Sequence, residues 1–357
     1  MKKLKQLAMG AMTALTLTTA MAAEPVVPDT VDFTIPFGVG GGTDVWARFM
    51  APNLASFIDG NPTVVIKNQP GGGSITGTNL FYKRADDDGS DIIGTSASTL
   101  FPYMLGDKRV RFKLDDWSPI LASPTGGVVY VQPDLGISGS DDMAKLMDQE
   151  LKFASQGPTQ LELPILIALD LMGANVKPVF GMKSRGAGRL AFERGEATID
   201  FQTSSAYMNS VQSLVDVGKA IPMFSVGVMN GSGDIVRDPA FPDIPTFEEA
   251  YTTVHGKQPS GMQYDVYRKF LAAGFAFQKV IFVPSDVPSD VLAEYNSAVR
   301  KMIADPTFKQ EAIQQVGPYE NAVGIDIAQY LGEAVTISPD MYVWIKDWLK
   351  SEFNYSL

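Results

Sequence analysis

The chain has 357 residues, with 40 Asp and Glu against 29 Lys and Arg for a formal net charge of −11, one His and no Cys. The missing Cys excludes disulfides, thiolate metal sites and Cys nucleophiles, and the acidic balance argues against sequence-independent binding to nucleic acid or anionic lipid. An anionic ligand would have to be held by local donors, because no broad basic field is available to collect it.

A secretory signal is expected at residues 1–22, with Lys2, Lys3 and Lys5, an apolar run over 7–17, small residues around Ala20, Ala22 and Ala23, and cleavage after Ala22. The run is shorter than a membrane span and is diluted by Thr13, Thr16, Thr18 and Thr19, and no Cys follows it for lipid attachment. Export without disulfides fits the bacterial periplasm. The rest of the chain is long enough for about two domains.

A β-branched and aromatic strand is predicted over 31–35, ending at Pro36 and followed by the glycine-rich segment 38–42. Val45, Trp46, Phe49, Met50, Leu54 and Phe57 then recur at helical spacing up to the breaker Asp59-Gly60-Asn61-Pro62. The same grammar repeats with a strand over 63–67, a loop over 68–73 and a helix over 74–84. A third strand, 92–95, ends in the small polar run Ser96-Ala97-Ser98-Thr99, at the same carboxyl edge of a parallel sheet if the crossovers are right-handed.

A second set of α/β signals begins at 128–131 and 152–154 and continues through a helix over 161–172, strands over 177–180 and 198–202, and a helix over 188–194. A further strand is read over 221–228, and the Pro/Gly/Asp-rich segment 231–245 suits a crossing back to the first domain. Pro288 opens a helix with Val291, Leu292, Tyr295, Val299, Met302 and Ile303 on its apolar side, and a last helix carries Met341, Trp344, Ile345 and Leu349. Alternating strands and helices predict an α/β architecture of two lobes. Lobe 1 is expected at 23–122 and 245–357, and lobe 2 at 123–244.

The segment Pro36-Phe37-Gly38-Val39-Gly40-Gly41-Gly42-Thr43-Asp44 lets the backbone turn its N–H groups inward at a helix N-terminus, which suits an oxyanion. The phosphate-loop motif fails because Thr43 and Asp44 stand where it needs Lys and Ser or Thr, and the dinucleotide fingerprint starting at Gly38 meets Thr43 in place of its third Gly. Asp44 is either a ligand contact or, with Thr43, a helix cap, and the cap is favoured. The second loop, Asn68-Gln69-Pro70-Gly71-Gly72-Gly73-Ser74, places another glycine-lined helix start at the edge of the next strand. Neither loop holds Lys or Arg, so backbone amides, hydroxyls and helix dipoles would do the holding.

These loops resemble those of the tripartite tricarboxylate transporter receptors, the Bug- or TctC-type extracytoplasmic solute-binding proteins. PFGVGGGTD is similar to that family's PF-x-x-GG-x-x-D, and NQPGGGSITGTN to its N-x-x-G-a-g-G-x-x-G. Weaker similarities run along the chain at Asp88-Gly89, Phe153-Ala154-Ser155-Gln156-Gly157, GEATIDF over 195–201 and Pro242-Asp243-Ile244-Pro245-Thr246-Phe247. The resemblance implies a type II periplasmic-binding-protein fold, a ligand carboxylate held against both loops, and a two-subunit membrane permease as partner. Where the family carries a Tyr-Lys-Gly-like segment, this chain has Met182-Lys183-Ser184-Arg185-Gly186. Arg185 then either pairs with a second ligand carboxylate or is a solvated loop residue.

The expected ligand-binding set is Phe37, Gly40, Gly41, Gly42, Thr43, Asp44, Gly71, Gly72, Gly73, Ser74, Ser96, Ser98, Ser155, Gln156, Arg185, Asp200, Gln202 and Thr203. Small polar residues beyond strand ends serve turns as well as pockets. Asp86-Asp87-Asp88-Gly89 lacks the ligand spacing of a calcium loop, and Gly72-Gly73-Ser74-Ile75-Thr76 breaks the Ser-nucleophile elbow at its last position. With His255 as the one histidine, no catalytic residue, cofactor or metal is expected. The expectation is a monomeric, periplasmic, non-enzymatic receptor for a small organic carboxylate. A sensor docking on a membrane signalling protein and a periplasmic hydrolase are the alternatives.

Overall fold

A computed structural model describes residues 24–230 and 232–357. The expected signal segment lies outside the described residues, and no described helix is long and apolar enough to cross a membrane.

The first half of lobe 1 runs β1 (Thr30–Ile35), α1 (Gly42–Phe57), β2 (Thr63–Asn68), α2 (Ile75–Arg84), β3 (Asp91–Ser96), α3 (Ala97–Met104) and β4 (Trp117–Ser123). Lobe 2 follows with β5 (Gly127–Val131), α4 (Met143–Leu146), β6 (Glu150–Ser155), α5 (Leu163–Met172), β7 (Asn175–Phe180), α6 (Arg185–Glu193) and β8 (Ile199–Thr203). It continues through α7 (Ser204–Ser210), α8 (Gln212–Asp216), β9 (Ile221–Ser225), the small hairpin β10 (Val228–Met229) and β11 (Ile235–Val236), α9 (Phe247–His255) and α10 (Met262–Leu271). The chain ends with β12 (Lys279–Pro284), α11 (Ser289–Ala304), α12 (Pro306–Gln315), β13 (Ala322–Val323), α13 (Gly324–Val335) and α14 (Pro339–Phe353).

The two large sheets share one plan. In lobe 1 the order is β13-β4-β12-β3-β1-β2, with β2, β1 and β3 parallel and β12 inserted antiparallel between β3 and β4. In lobe 2 the order is β7-β6-β8-β5-β9, with β7, β6 and β8 parallel and β5 inserted antiparallel between β8 and β9. Each inserted strand follows directly on a passage between lobes, so both sheets turn their parallel carboxyl ends toward the same gap.

Hydrophobic pattern explains the first unit. Val31, Phe33 and Ile35 are fully buried, as a strand flanked on both sides requires, and α1 lays Trp46, Ala47, Met50, Ala51 and Leu54 against them. Among the described residues β2 pairs only with β1, and its alternating exposure marks a sheet edge. Most predicted elements appear with bounds shifted by one to three residues, but β4, β12, α9 and α10 carry no clean signature of their own. The Ser96–Thr99 run caps and opens α3, with Ser96 accepting from Ser98 N at 3.2 Å.

The expected return to lobe 1 near residue 245 is corrected. Ser225 N donates to Pro245 O at 2.8 Å, and α9 and α10 then pack on α4, α5 and β9, so the chain is still on lobe 2. The passages are residues 124–126 and the π-helical turn Ala272–Ala276, tied together by Thr125 N donating to Phe275 O at 2.9 Å. α14 also departs from expectation, crossing onto lobe 2, where Trp348 Nε1 donates to Asp170 at 2.7 Å and Phe353 meets Phe180 edge-on at 5.4 Å. Composition marks where a chain bends, not which surface the next helix covers.

Beside the passages, the Tyr319 hydroxyl donates to buried Asp238 at 2.9 Å and touches Ser204 at the start of α7. Burial raises the Asp238 carboxyl above its usual range. α2 meanwhile rests directly on the strand end beneath it: a Cβ at Gly77 would lie 2.0 Å from Gln69 O. Gly77→Ala is therefore expected to cost at least about 2 kcal/mol through backbone overpacking, measured as a lowered urea midpoint.

Candidate ligand-binding cleft

Loop 1 is shaped by Asp44. Its buried carboxylate accepts from Gly40 N at 2.8 Å, from Asn68 Nδ2 at 2.9 Å and from Arg48 Nε at 3.0 Å. These bonds hold the carboxyl below its usual range against the opposing effect of burial. The cap reading is corrected, since Gly41 is the N-cap of α1 and no side chain caps it. Asp44 reaches back into the loop and across to β2, and Asn68 also donates to Phe37 O at 3.0 Å. Half-buried Phe37 packs on the lobe 1 core.

The glycine N–H groups are not equivalent. Gly40 N is spent on Asp44, Gly41 N approaches Gly38 O at 3.3 Å, and the first intrahelical bond of α1 is Val45 N to Gly41 O. The N–H groups of Gly42 and Thr43 thus stand in the first turn with no intrahelical acceptor, at the positive end of the helix dipole.

Loop 2 has four successive residues at positive φ: Gly71 (142°), Gly72 (57°), Gly73 (69°) and Ser74 (93°). Three glycines adopt this without Cβ strain, whereas Ser74 is held there by its own bonds. Its hydroxyl donates to Ser98 O at 3.3 Å, and its carbonyl accepts from Thr78 Oγ1 at 2.9 Å. Ser74 N and Thr76 N both point to Gly71 O, which leaves the Gly72 and Gly73 N–H groups without an acceptor in the turn.

The opposite wall is organised by Arg185. All five of its donors are used: Nε to Phe201 O at 3.2 Å, Nη1 to Ala154 O at 2.9 Å and Glu162 Oε1 at 2.8 Å, and Nη2 to Phe201 O at 2.7 Å and to Asp200. The neighbouring carboxylates raise the guanidinium above its already high range despite burial. Both expectations for Arg185 are corrected: it is neither a free partner for a ligand carboxylate nor a solvated loop residue. Asp200 is equally occupied, accepting from Tyr130 Oη at 2.5 Å and Gln202 Nε2 at 2.9 Å on its other oxygen. Burial, with the Asp200 charge beside it, drives the Tyr130 phenol far above its usual range.

Of the remaining expected residues, Gln202 is taken up by Asp200 and by Arg185 O at 3.0 Å, and Ser155 accepts from Gly157 N at 3.3 Å. Ser96 caps α3, and Ser98 Oγ accepts from Leu161 N of lobe 2 at 3.3 Å. Gln156 N donates to Glu162 at 2.7 Å, and Thr203 is the N-cap position of α7 without a side-chain cap bond. The structure thus links Ser74, Ser96 and Ser98 on lobe 1, and gathers Arg185, Asp200 and Gln202 into a network inside lobe 2, while the Ser155 hydroxyl bonds within its own turn.

Two neighbours of the cleft carry weak sequence signals. Gln160 is 7 % exposed, its Oε1 has no partner, and its amide stands where a Cβ on Gly73 would be, 2.8 and 2.9 Å away. The turn Gly157-Pro158-Thr159 before it was the available clue. Lys279, the one charge in the apolar stretch 270–283, donates from Nζ to Thr43 Oγ1 at 2.9 Å. Among the described residues no cluster of three or more His, Asp or Glu side chains is placed to hold a metal.

Two lobes with matching sheets, glycine-lined helix starts on one side and a buried polar network on the other define the two-lobed fold of periplasmic binding proteins. Comparison with solved structures agrees. The periplasmic binding protein BugD matches with a TM-score of 0.65 at 19 % identity over 89 % of this chain and 97 % of its own. MatC from Rhodopseudomonas palustris, solved with bound malate, matches at 0.63 and 17 % identity over 88 % and 98 %. A second R. palustris protein, solved with adipate, matches at 0.65 and 16 % identity over 89 % and 96 %. No protein-family model matches the chain, and no curated protein does. At these identities the likeness shows the fold.

Replacing Arg185 by Met would leave Glu162 and Asp200 buried without their cation. The expected cost is about 3–5 kcal/mol in denaturant unfolding, against at most about 1 kcal/mol for an exposed arginine.

Proposed function

We propose that the chain is an exported solute-binding receptor that captures a small organic carboxylate between its lobes and delivers it to a two-subunit membrane permease. The observation that carries this reading is the pair of loops at one sheet edge. The Gly42 and Thr43 N–H groups of loop 1 and the Gly72 and Gly73 N–H groups of loop 2 lack acceptors within their turns. Such donors suit a carboxylate, whose two oxygens accept several hydrogen bonds at once. The bound malate and adipate of two structural neighbours support the same ligand class. The loop resemblance supports the permease and the periplasmic location. A binding role, with no catalytic residue, agrees with carboxylates on the lobe 2 wall that are already occupied by Arg185, Tyr130 and Gln202.

Isothermal titration of the mature chain with mono- and dicarboxylates, malate and adipate included, is expected to give heat with at least one acid. That acid at about 100 times its Kd should stabilise the fold by about 2.7 kcal/mol, read as a rise in Tm. Gly72→Val, which places a β-branched residue at a φ of 57°, is expected to abolish the heat while the protein still melts cooperatively. No heat or Tm shift with any acid would remove the reading.

A further inference from the structure

We infer that Lys279 is the cationic contact of the cleft and that its ammonium meets the ligand carboxylate beside the start of α1. The inference rests on the receptor reading and names the charge that makes that site selective for anions. β12 pairs Lys279 with Ser96 of β3 on one side and Ser123 of β4 on the other, which puts it in the interior of the lobe 1 sheet at the edge where loop 1 turns into its helix. Its Nζ donates to Thr43 Oγ1 at 2.9 Å. With the Gln278 amide turned so that its nitrogen donates to Gly274 O at 2.6 Å, the Gln278 oxygen accepts from Nζ at 3.2 Å. An ammonium has three donors, and these two neutral acceptors leave one for a ligand.

What sets Lys279 apart is the absence of a counter-charge. The other cation of the cleft walls, Arg185, is paired with Glu162 and Asp200, and Arg48 behind loop 1 is paired with Asp44. Among the described residues, no carboxylate contributes to the environment of Lys279, where loss of water alone acts and pulls the ammonium down to about 7. The charged groups on the elements packed around it are Asp44 and Arg48 on α1, already joined to each other, and Asp91 at the far end of β3. β4 and α3 carry none, and Glu320, beside the Asn321 that accepts from Ser123 at 2.5 Å, is exposed.

A cation at a helix N-terminus is also on the wrong end of the dipole. A half-buried ammonium, an opposing dipole and no carboxylate form an arrangement that a bound anion relieves on every count. Gln160, packed on Gly73 of loop 2, has a buried Oε1 that is likewise without a partner.

An anion that binds only the protonated amine takes up a proton when it binds near or above pH 7, so affinity falls as pH rises through the free value of about 7. Titration of the mature chain with the mono- and dicarboxylate panel, adipate and malate included, at about pH 6, 7.5 and 9 is expected to show, for each acid that binds, affinity dropping toward tenfold per pH unit at the upper end. Heats in two buffers of different ionisation enthalpy should reveal the proton uptake directly.

In Lys279→Met the affinity at about pH 6 should fall by about tenfold to a hundredfold, the effect of a lost charge-assisted bond, and the pH dependence should vanish. The unliganded variant should melt no lower than wild type, because a desolvated ammonium has been replaced by an apolar chain of similar length. Should Met unfold the protein, Lys279→Gln supplies the same comparison. Wild-type binding that is flat in pH, or a neutral variant that binds as tightly, overturns the role of Lys279 and leaves the receptor reading standing. No heat or Tm shift with any acid of the panel overturns both.

Discussion

The buried fork of Arg185 organises the face that lobe 2 turns toward the cleft. One guanidinium joins the end of β6 through Ala154 O, the middle of β8 through Phe201 O and Asp200, and the approach to α5 through Glu162. Glu162 also receives Gln156 N, so the turn between β6 and α5 is clamped at both ends. That turn presents Gln160 to Gly73 of the second glycine loop and Leu161 N to Ser98 of α3. Desolvating two carboxylates and a guanidinium is costly, and the network endures because every donor of the arginine is filled and both anions share it.

Lobe 1 solves the opposite problem with less charge. Asp44 plays the organising part, tying Gly40, Arg48 and Asn68 together and so joining loop 1 to the end of β2. Its carboxylate is filled by those three donors, and the donors left over are backbone N–H groups of the first helical turn. An acidic protein can in this way present a positive recess without a basic surface, because helix-end dipoles and one lysine act over a few ångströms.

The lobes are joined by more than the passages between them. Phe101 of α3 meets Phe270 of α10 edge-on at 5.0 Å, and Phe201 of β8 meets Phe275 of the π turn at 5.8 Å, so the apolar core runs continuously from one lobe to the other. The Tyr319, Ser204 and Asp238 cluster adds a polar tie at the same junction.

Local signals carried the strand, loop and helix units of lobe 1, because β-branched runs, glycine clusters and helical spacing each depend on neighbours within a turn or two. The residue types of the site were legible for the same reason: a backbone that turns its N–H groups inward needs glycine at φ values closed to other residues. What only the tertiary structure decided is how each polar side chain is used. Arg185 and Asp200 look like free recognition groups until Glu162, Tyr130 and Phe201 arrive from distant segments to occupy them. Lys279 looks like a stray charge in an apolar stretch until β12 inserts between β3 and β4 and sets it beside Thr43, 236 residues away. Hydrogen-bond partners are a property of contacts between remote segments, and local sequence, which determines the strands and turns, does not encode which remote group will fill a given donor.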